Sequence, residues 1–423
     1  MTSAAVEGRT EPRDVGLAGT DWTDRIRLEL TGNILPFWPR HALDRKNGGF
    51  FGTIGSDLVV QKESPRASVI TTRILWTYSA AARLVDTVYR ETADWAFDYI
   101  AAKFWDGENG GLYWTVDYRG RPLSDRKQTY AQAFGIYALA EHHRLTKSGA
   151  SLELARRLYE LVERHCHDPV FKGYLEARGR QWQPLDDVRL SDRDLNSPKS
   201  MNTHLHVLEA YTNLIRVWPD PGLISRQREL LEIMMDHIVD GGTGHFKLFF
   251  DMQWNPLSRN VSFGHDIEGS WLLVEAAQVL GDPVLLARAR KLAVSMAISV
   301  AEQGLDRDGS VFFEADGDGL IIDAKKHWWV QAEAVIGFYN AWQITHEVRF
   351  REASRRAWDY IEGHVVDRVH GEWHAKLTRE GVPLTEAEDP EACLAGPWKC
   401  PYHNARVCYE MLERLAYTEK RTQ

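Results

Sequence analysis

A short glycine-centred signal recurs six times along this 423-residue chain, and it limits the fold more than any other feature. In each copy a glycine or Gly-Gly is followed by alternating aromatic and aliphatic residues and then by a second polar turn. The copies are NGGFFGTI at Asn47, NGGLYWTVDYRGRP at Asn109, KGYLEARGRQWQP at Lys172, TGHFKLFFDMQWNP at Thr243, DGSVFFEADGDG at Asp308 and HGEWHAKLTREGVP at His370. Each reads as a short β-ribbon. Marked by Gly49, Gly111, Gly173, Gly244, Gly309 and Gly371, the copies are 62, 62, 71, 65 and 62 residues apart. That period has room for two helices and a ribbon, so the chain is one unit repeated six times.

Between the ribbons the apolar pattern changes to helical period. SVITTRILWTYSAAARLV from Ser68 is followed by YRETADWAFDYIAAKFW from Tyr89, and QTYAQAFGIYALAEHHRL from Gln128 by SLELARRLYELVERHC from Ser151. The pairing continues from Met201 and Gly222, from His265 and Pro283, and from His327 and Phe350, with an opening helix near Trp22 and a closing one near Pro401. Twelve helices follow. In most intervals the helix after the ribbon is rich in Ala, Gly and apolar residues and the next carries more Arg and Glu, which predicts an inner and an outer ring. Helical hairpins can stack as an open solenoid or close into a toroid. A ribbon at the same place in all six units favours closure, because the first and last helices then cover each other. The expected fold is all-α, an (α/α)6 barrel with short β-hairpin connections.

No Pro/Gly/Ser linker or charge block interrupts the repeat, so residues 19–423 read as a single barrel domain behind a disordered segment at 1–18. The net charge of -9 is spread along the chain without a basic stripe, which argues against nucleic acid. Cys166, Cys393, Cys400 and Cys408 form no CxxC pattern and read as reduced thiols. The leading residues lack an apolar signal core and no run of 18 apolar residues occurs, so no membrane partner is expected and the predicted location is cytoplasmic.

Polar residues cluster where the inner helices begin. Arg73 and Tyr130 lie in the early turns of the first two; Asn202, His204 and His206 open the third, and His265 and Glu268 the fourth. His327, Trp328, Trp329, Gln331 and Glu333 open the fifth, and Trp398, Tyr402 and His403 the last. The starts of alternate helices in an antiparallel ring converge on one mouth, so these residues should line one pocket. His265 and Glu268, three apart, share a helix face, where a carboxylate can fix an imidazole's tautomer. Asn202 and His206 share another, which places His206 in the pocket and His204 in the packing. His403 follows Pro401 at a helix start, whose positive end keeps an imidazole neutral. Trp328 and Trp398 are candidate platforms for the C–H face of a sugar, with the core as the alternative use of an indole.

GxSxG, HExxH, Walker and Rossmann fingerprints are absent from the sequence. His206, His265 and His403 lack a compact ligand pair, and no metal is expected. Histidines with a buried carboxylate and no nucleophile suit proton transfer at a carbon next to a carbonyl.

SMNTHLHVLEAY, FGHDIEGSWLL, KHWWVQAEA and WKCPYHN, in this order and spacing, together with PRASVITTRILWTYSAAARL, resemble the cellobiose 2-epimerases of the N-acylglucosamine 2-epimerase superfamily. The resemblance runs from about Trp22 to the last helix. It implies an (α/α)6 barrel that opens an aldose ring and epimerises C2 through an enediolate without a cofactor. By it, His265 and His403 are the two-faced acid/base pair, Glu268 orients His265, and His206 and Asn202 bind the oxygens on C1 and C2. Arg73 and Tyr130 hold the intermediate's oxygens, while Trp328 and Trp398 stack the sugar rings. Val330, Cys400 and Ala405 depart from the usual pattern and EDPEACLAG before Trp398 looks inserted, which leaves the second sugar open. The implied substrate is a β-1,4-linked disaccharide such as cellobiose, lactose or mannobiose, turned over by a monomer or weak homodimer. A mannose isomerase or mannose 2-epimerase is the alternative within the superfamily. A glycoside hydrolase or carbohydrate-binding barrel is the alternative outside it, though a hydrolase needs a carboxylate pair across the mouth where histidine and tryptophan dominate here.

Overall fold

In the computed structural model, which describes residues 21–422, the inner helices owe their place to their composition. In the helix Ser68–Leu84 every residue from Ser68 to Ala82 is buried, and in the helix Met201–Ile215 every residue but Asn202. A helix apolar all round must be covered all round. The helix Gly149–His165, by contrast, buries Ser151, Ala155, Leu158, Tyr159 and Val162, a single stripe. In chain order the elements are α1 (Trp22–Glu29) and α2 (Leu35–His41), two halves of one helix joined by a π turn, then α3 (Ser68–Leu84), α4 (Arg90–Tyr99), α5 (Thr129–Thr146) and α6 (Gly149–His165). There follow α7 (Met201–Ile215), α8 (Pro221–Ile233), α9 (Phe263–Leu280), α10 (Pro283–Ser299), α11 (Trp328–Thr345), α12 (Val348–Tyr360) and α13 (Tyr402–Thr422). The odd-numbered helices from α3 to α13 form the inner ring of an (α/α)6 barrel, and the others surround them. The segment expected to be disordered, 1–18, lies outside the described residues.

The ring closes. α13 packs on both α11 and α3, and Arg25 of α1 pairs with Asp359 of α12 at 2.7 Å. Trp373 Nε1 donates to Glu29 at 2.7 Å, burying the first helix against the last ribbon. An open solenoid would leave these flanks to water.

The ribbons form hairpins as the sequence suggests, with Val116 opposite Pro122 and Ala315 opposite Ile321. They also pair with the preceding unit, which the sequence does not announce: Arg66 and Ala67, just before α3, pair with Val116 and Thr115 of the second ribbon. Lys127–Gln128 pairs with the third ribbon, Lys199–Ser200 with the fourth, Val261–Ser262 with the fifth and Lys326–His327 with the sixth. Ile54 of the first ribbon completes the cycle by bridging Ala395, ahead of α13. Each inner helix therefore starts from a strand stapled to the next unit, which brings all six starts to one end.

Buried ion pairs set this register. Lys127, Lys199 and Lys326, each two residues before an inner helix, reach Asp106, Asp168 and Asp306 of their own unit's ribbon at 3.1, 2.8 and 2.9 Å, and Arg66 pairs with Asp44 likewise. Asp44, Asp106 and Asp168 also accept backbone N–H groups two and three residues on, as Asp44 does from Lys46 and Asn47, and Asp306 accepts that of Arg307. An unpartnered charge at such depth would be prohibitive, so cation and turn are locked to one another. All six marker glycines have positive φ, which these turns require.

Candidate active site

All nine residues given a catalytic or substrate-binding role from the sequence line one cavity of ≈ 380 Å³ at the end where the inner helices start: Arg73, Tyr130, Asn202, His206, His265, Glu268, Trp328, Trp398 and His403. It opens into a ≈ 640 Å³ cleft that shares Asn202, His265 and Phe313 with it and extends to Leu248 and Ile322. A ≈ 1090 Å³ cavity at the other end of the barrel is lined by arginines, glutamates and aromatic rings and contains no histidine. Of the two ends, only the mouth at the helix starts carries cavity histidines.

Three of the four cavity histidines, His206, His265 and His403, are held through Nδ1, and for each the structure shows no protein partner on Nε2 among the described residues; the fourth, His327, stacks on Phe313 with ring centres 3.9 Å apart. His403 Nδ1 meets Glu333 Oε1 at 2.8 Å, and His206 Nδ1 meets Glu209 Oε2 at 2.9 Å. An ionised carboxylate on Nδ1 keeps the proton there and turns the Nε2 lone pair to the cavity. His265 Nδ1 sits 2.7 Å from the Ser262 hydroxyl. This corrects the expectation that Glu268 orients His265: although the two share a helix face, Glu268 turns to the guanidinium of Arg406, which attracts it more strongly than a neutral imidazole. A hydroxyl can donate or accept, so His265 is free to present Nε2 with or without a proton. Burial lowers the proton affinity of all three rings, that of His265 to about 3. His204 is structural as expected: its Nδ1 donates to Ser200 O at 2.6 Å and its Nε2 accepts the Tyr174 N–H at 2.8 Å.

Behind the histidines lies a buried cluster of one cation and three carboxylates. Arg406 donates to Glu333 Oε1 at 2.7 Å and to Glu268 and Glu209, and Tyr402 also donates to Glu209. Glu268, Glu333 and His403 are spaced closely enough to hold a cation, and the guanidinium already occupies the position between them. One cation cannot neutralise three buried anions. Glu209 is held down at about 2 despite its burial, by Arg406 and His206, whereas burial and mutual repulsion raise Glu268 and Glu333. The imbalance of charge therefore favours a proton on that pair.

Arg73 is the opposite case: a buried guanidinium with no carboxylate partner among the described residues. It donates to Tyr130 Oη at 2.7 Å, lies 4.2 Å from the ring centre of Phe134, and leaves Nε unpartnered. Asn202 Oδ1 is likewise buried and unpartnered. These are the groups a polar ligand would satisfy.

Both adjacent tryptophans line the cavity, with different surroundings. Trp328 is buried, with Lys399 5.4 Å from its ring centre, while Trp329 packs against His265 and His403 at 4.8 and 5.6 Å. Gly264 permits that contact, since a Cβ there would meet the Trp329 indole at 2.6 Å. Trp398 lies at the rim, 6.0 Å from both Trp114 and Tyr130. Gln331 is a staple, its amide bonded to both N and O of Val311. The segment around EDPEACLAG forms a wall of the cavity through Glu391, Cys393 and Gly396, tied down by Lys376 on Asp389 at 2.9 Å.

Sequence reasoning does not single out Glu209 or Arg406 and assigns no role to Trp329 or Glu333. The signal for the first two is present: each lies three residues after a cavity histidine, the spacing that joins His265 to Glu268.

The sequence profile of the family described as N-acylglucosamine 2-epimerase (GlcNAc 2-epimerase) matches residues 49–394. The chain is 44% identical to a cellobiose 2-epimerase of Bacteroides fragilis over 92% of this chain and 97% of that protein. The solved cellobiose 2-epimerase of Bacillus thermoamylovorans B4167 superposes with a TM-score of 0.87 at 39% identity, covering 93% of this chain and 99% of the other. A D-mannose isomerase of Marinomonas mediterranea is 22% identical over 87% of this chain and 92% of its own length.

Proposed function

We propose that this chain, which belongs to the N-acylglucosamine 2-epimerase family, inverts C2 of the reducing-end residue of a β-1,4-linked disaccharide such as cellobiose. The observation that carries the reading is the pair of imidazoles against Trp329, His265 and His403, each tethered through Nδ1 with Nε2 left for a substrate. Inversion requires that a proton leave C2 from one face and one return to the other, and two bases achieve this without turning the intermediate over. In this reading His403, fixed by Glu333, and the hydroxyl-tethered His265 serve the two faces. Arg73 stabilises charge that develops on O1 only as the proton leaves, which favours the transition state over the ground state. Asn202 and His206 hold sugar oxygens. Glu268, which burial inclines to keep a proton, can donate to another. The much higher identity to cellobiose 2-epimerases than to the mannose isomerase supports the disaccharide over mannose.

Cellobiose incubated with the protein in D2O is expected to give an epimer at the reducing residue with deuterium at C2, at a rate unchanged by EDTA. Free glucose as the main product, or activity lost with the chelator, would overturn the reading.

Trp398, at the rim and backed by Trp114, is placed to stack on the second sugar ring. Trp398→Ala is expected to lower kcat/KM for cellobiose about tenfold, the scale of one aromatic contact, with unchanged circular dichroism. Unaltered kcat/KM would assign the indole to packing.

A further inference from the structure

The ≈ 1090 Å³ cavity at the end opposite the reacting mouth shares no lining residue with it, and Trp271 of α9 lines that far cavity. Its indole lines the far cavity yet is only 1% exposed, and Nε1 points away from that cavity to donate to Glu333 Oε2 at 2.9 Å. Trp271 is the one donor the structure shows on that oxygen among the described residues. The other oxygen, Oε1, takes His403 Nδ1 at 2.8 Å and Arg406 Nη2 at 2.7 Å. Arg406 also covers the indole face, with its guanidinium carbon 4.9 Å from the ring centre.

We propose that Trp271 is a positioning residue for the acid/base chemistry: its indole N–H holds the charge on Glu333, and so the proton on Glu268, which keeps His403 a base. The inference rests on the epimerase reading above and adds to it a residue outside the reacting cavity. Hydrogen bonds decide where the charge of the Glu268–Glu333 pair resides. Glu333 receives three N–H donors, from Trp271, Arg406 and His403, whereas Glu268 receives one, from Arg406. A carboxylate with more donors is the better anion. The remaining charged and titratable groups facing Glu333 are Glu209 of α7, bound to the other side of the same guanidinium, and His265 of α9, whose imidazole is neutral. Trp271 also stands between Glu333 and the far cavity, so it excludes water that would otherwise solvate Oε2.

Without the indole N–H, Glu333 competes for the shared proton. Once protonated it no longer anchors Nδ1–H of His403, and the base-competent form is restored only at higher pH. The test is the pH dependence of kcat/KM for cellobiose in Trp271→Phe, which keeps an apolar ring under Arg406. The acid limb is expected to move up by about one pH unit or more, the equivalent of one hydrogen bond to a charged group, with activity recovering toward alkaline pH. Replacing Trp271 by benzothienylalanine, which has the shape of tryptophan without the N–H, should shift the limb equally and covers the case in which Trp271→Phe fails to fold. In Glu333→Gln, where no charge remains to be held, adding Trp271→Phe should leave the limb where Glu333→Gln alone puts it. A limb unmoved in the isostere, with kcat lowered evenly at all pH values, would overturn the inference and make Trp271 a packing residue. Wild-type protein that leaves no deuterium at C2 would instead overturn the epimerase reading, so the two failures are distinct.

Discussion

His265→Asn and His403→Asn are each expected to lower kcat by at least about two orders of magnitude, the contribution of one positioned acid/base group, with little change in stability. Asparagine keeps a polar group of similar reach at each position. It can replace the hydrogen bonds to Ser262 and Glu333, so folding should be spared while proton transfer is not. Exchange of the C2 proton with D2O, measured apart from net epimerisation, separates the roles. The variant that retains the base for the starting sugar should exchange its C2 proton without inverting it, and the other should do neither. Equal retention of exchange and inversion in both would rule out two bases. His204→Asn is the contrast: both ring nitrogens are used by the backbone, so its effect should fall on stability.

Arg406→Leu is expected to destabilise the fold by about 3–5 kcal/mol, the loss seen when one partner of a buried ion pair is removed. It would leave Glu209, Glu268 and Glu333 in the barrel interior without the cation they share. The cost should depend on pH in a definite direction. Carboxyl groups whose folded-state proton affinity is raised above the unfolded value are most comfortable protonated, so the variant should lose stability as pH rises through neutrality and recover part of it in acid. Chemical denaturation at several pH values checks both size and sign. Wild-type stability, or a loss that deepens in acid, would mean that the cluster is not held by this guanidinium.

Much of the site is legible in the sequence because helix starts are local features. Pro401 announces where α13 begins, the change to helical period marks the starts of α7 and α9, and a residue's distance from such a start fixes its height in the barrel. Helical period then selects the face, which is why His206 and Asn202 reach the cavity while His204 is packed under Trp254. Which charge meets which is a different matter. The i, i+3 spacing of His265 and Glu268 makes a contact possible, but Glu268 is drawn to Arg406, 138 residues away, because a fixed cation outcompetes a neutral ring. Trp328 and Trp329 are indistinguishable by composition. Their surroundings come from α9 and α13, where Gly264 leaves room for one indole between the two histidines.

The sequence by itself determined the repeat, the twelve helices, the inner and outer rings and the end of the barrel at which chemistry gathers, since each follows from spacing along one stretch of chain. Only the tertiary structure decided the cross-unit pairing of the ribbons, the closure through Ile54 and Ala395, and the sharing of Arg406 among three glutamates. Those depend on distances between units, and in a low-dielectric interior the energy of a charge is set by every neighbour within a few ångströms, whatever its distance along the chain.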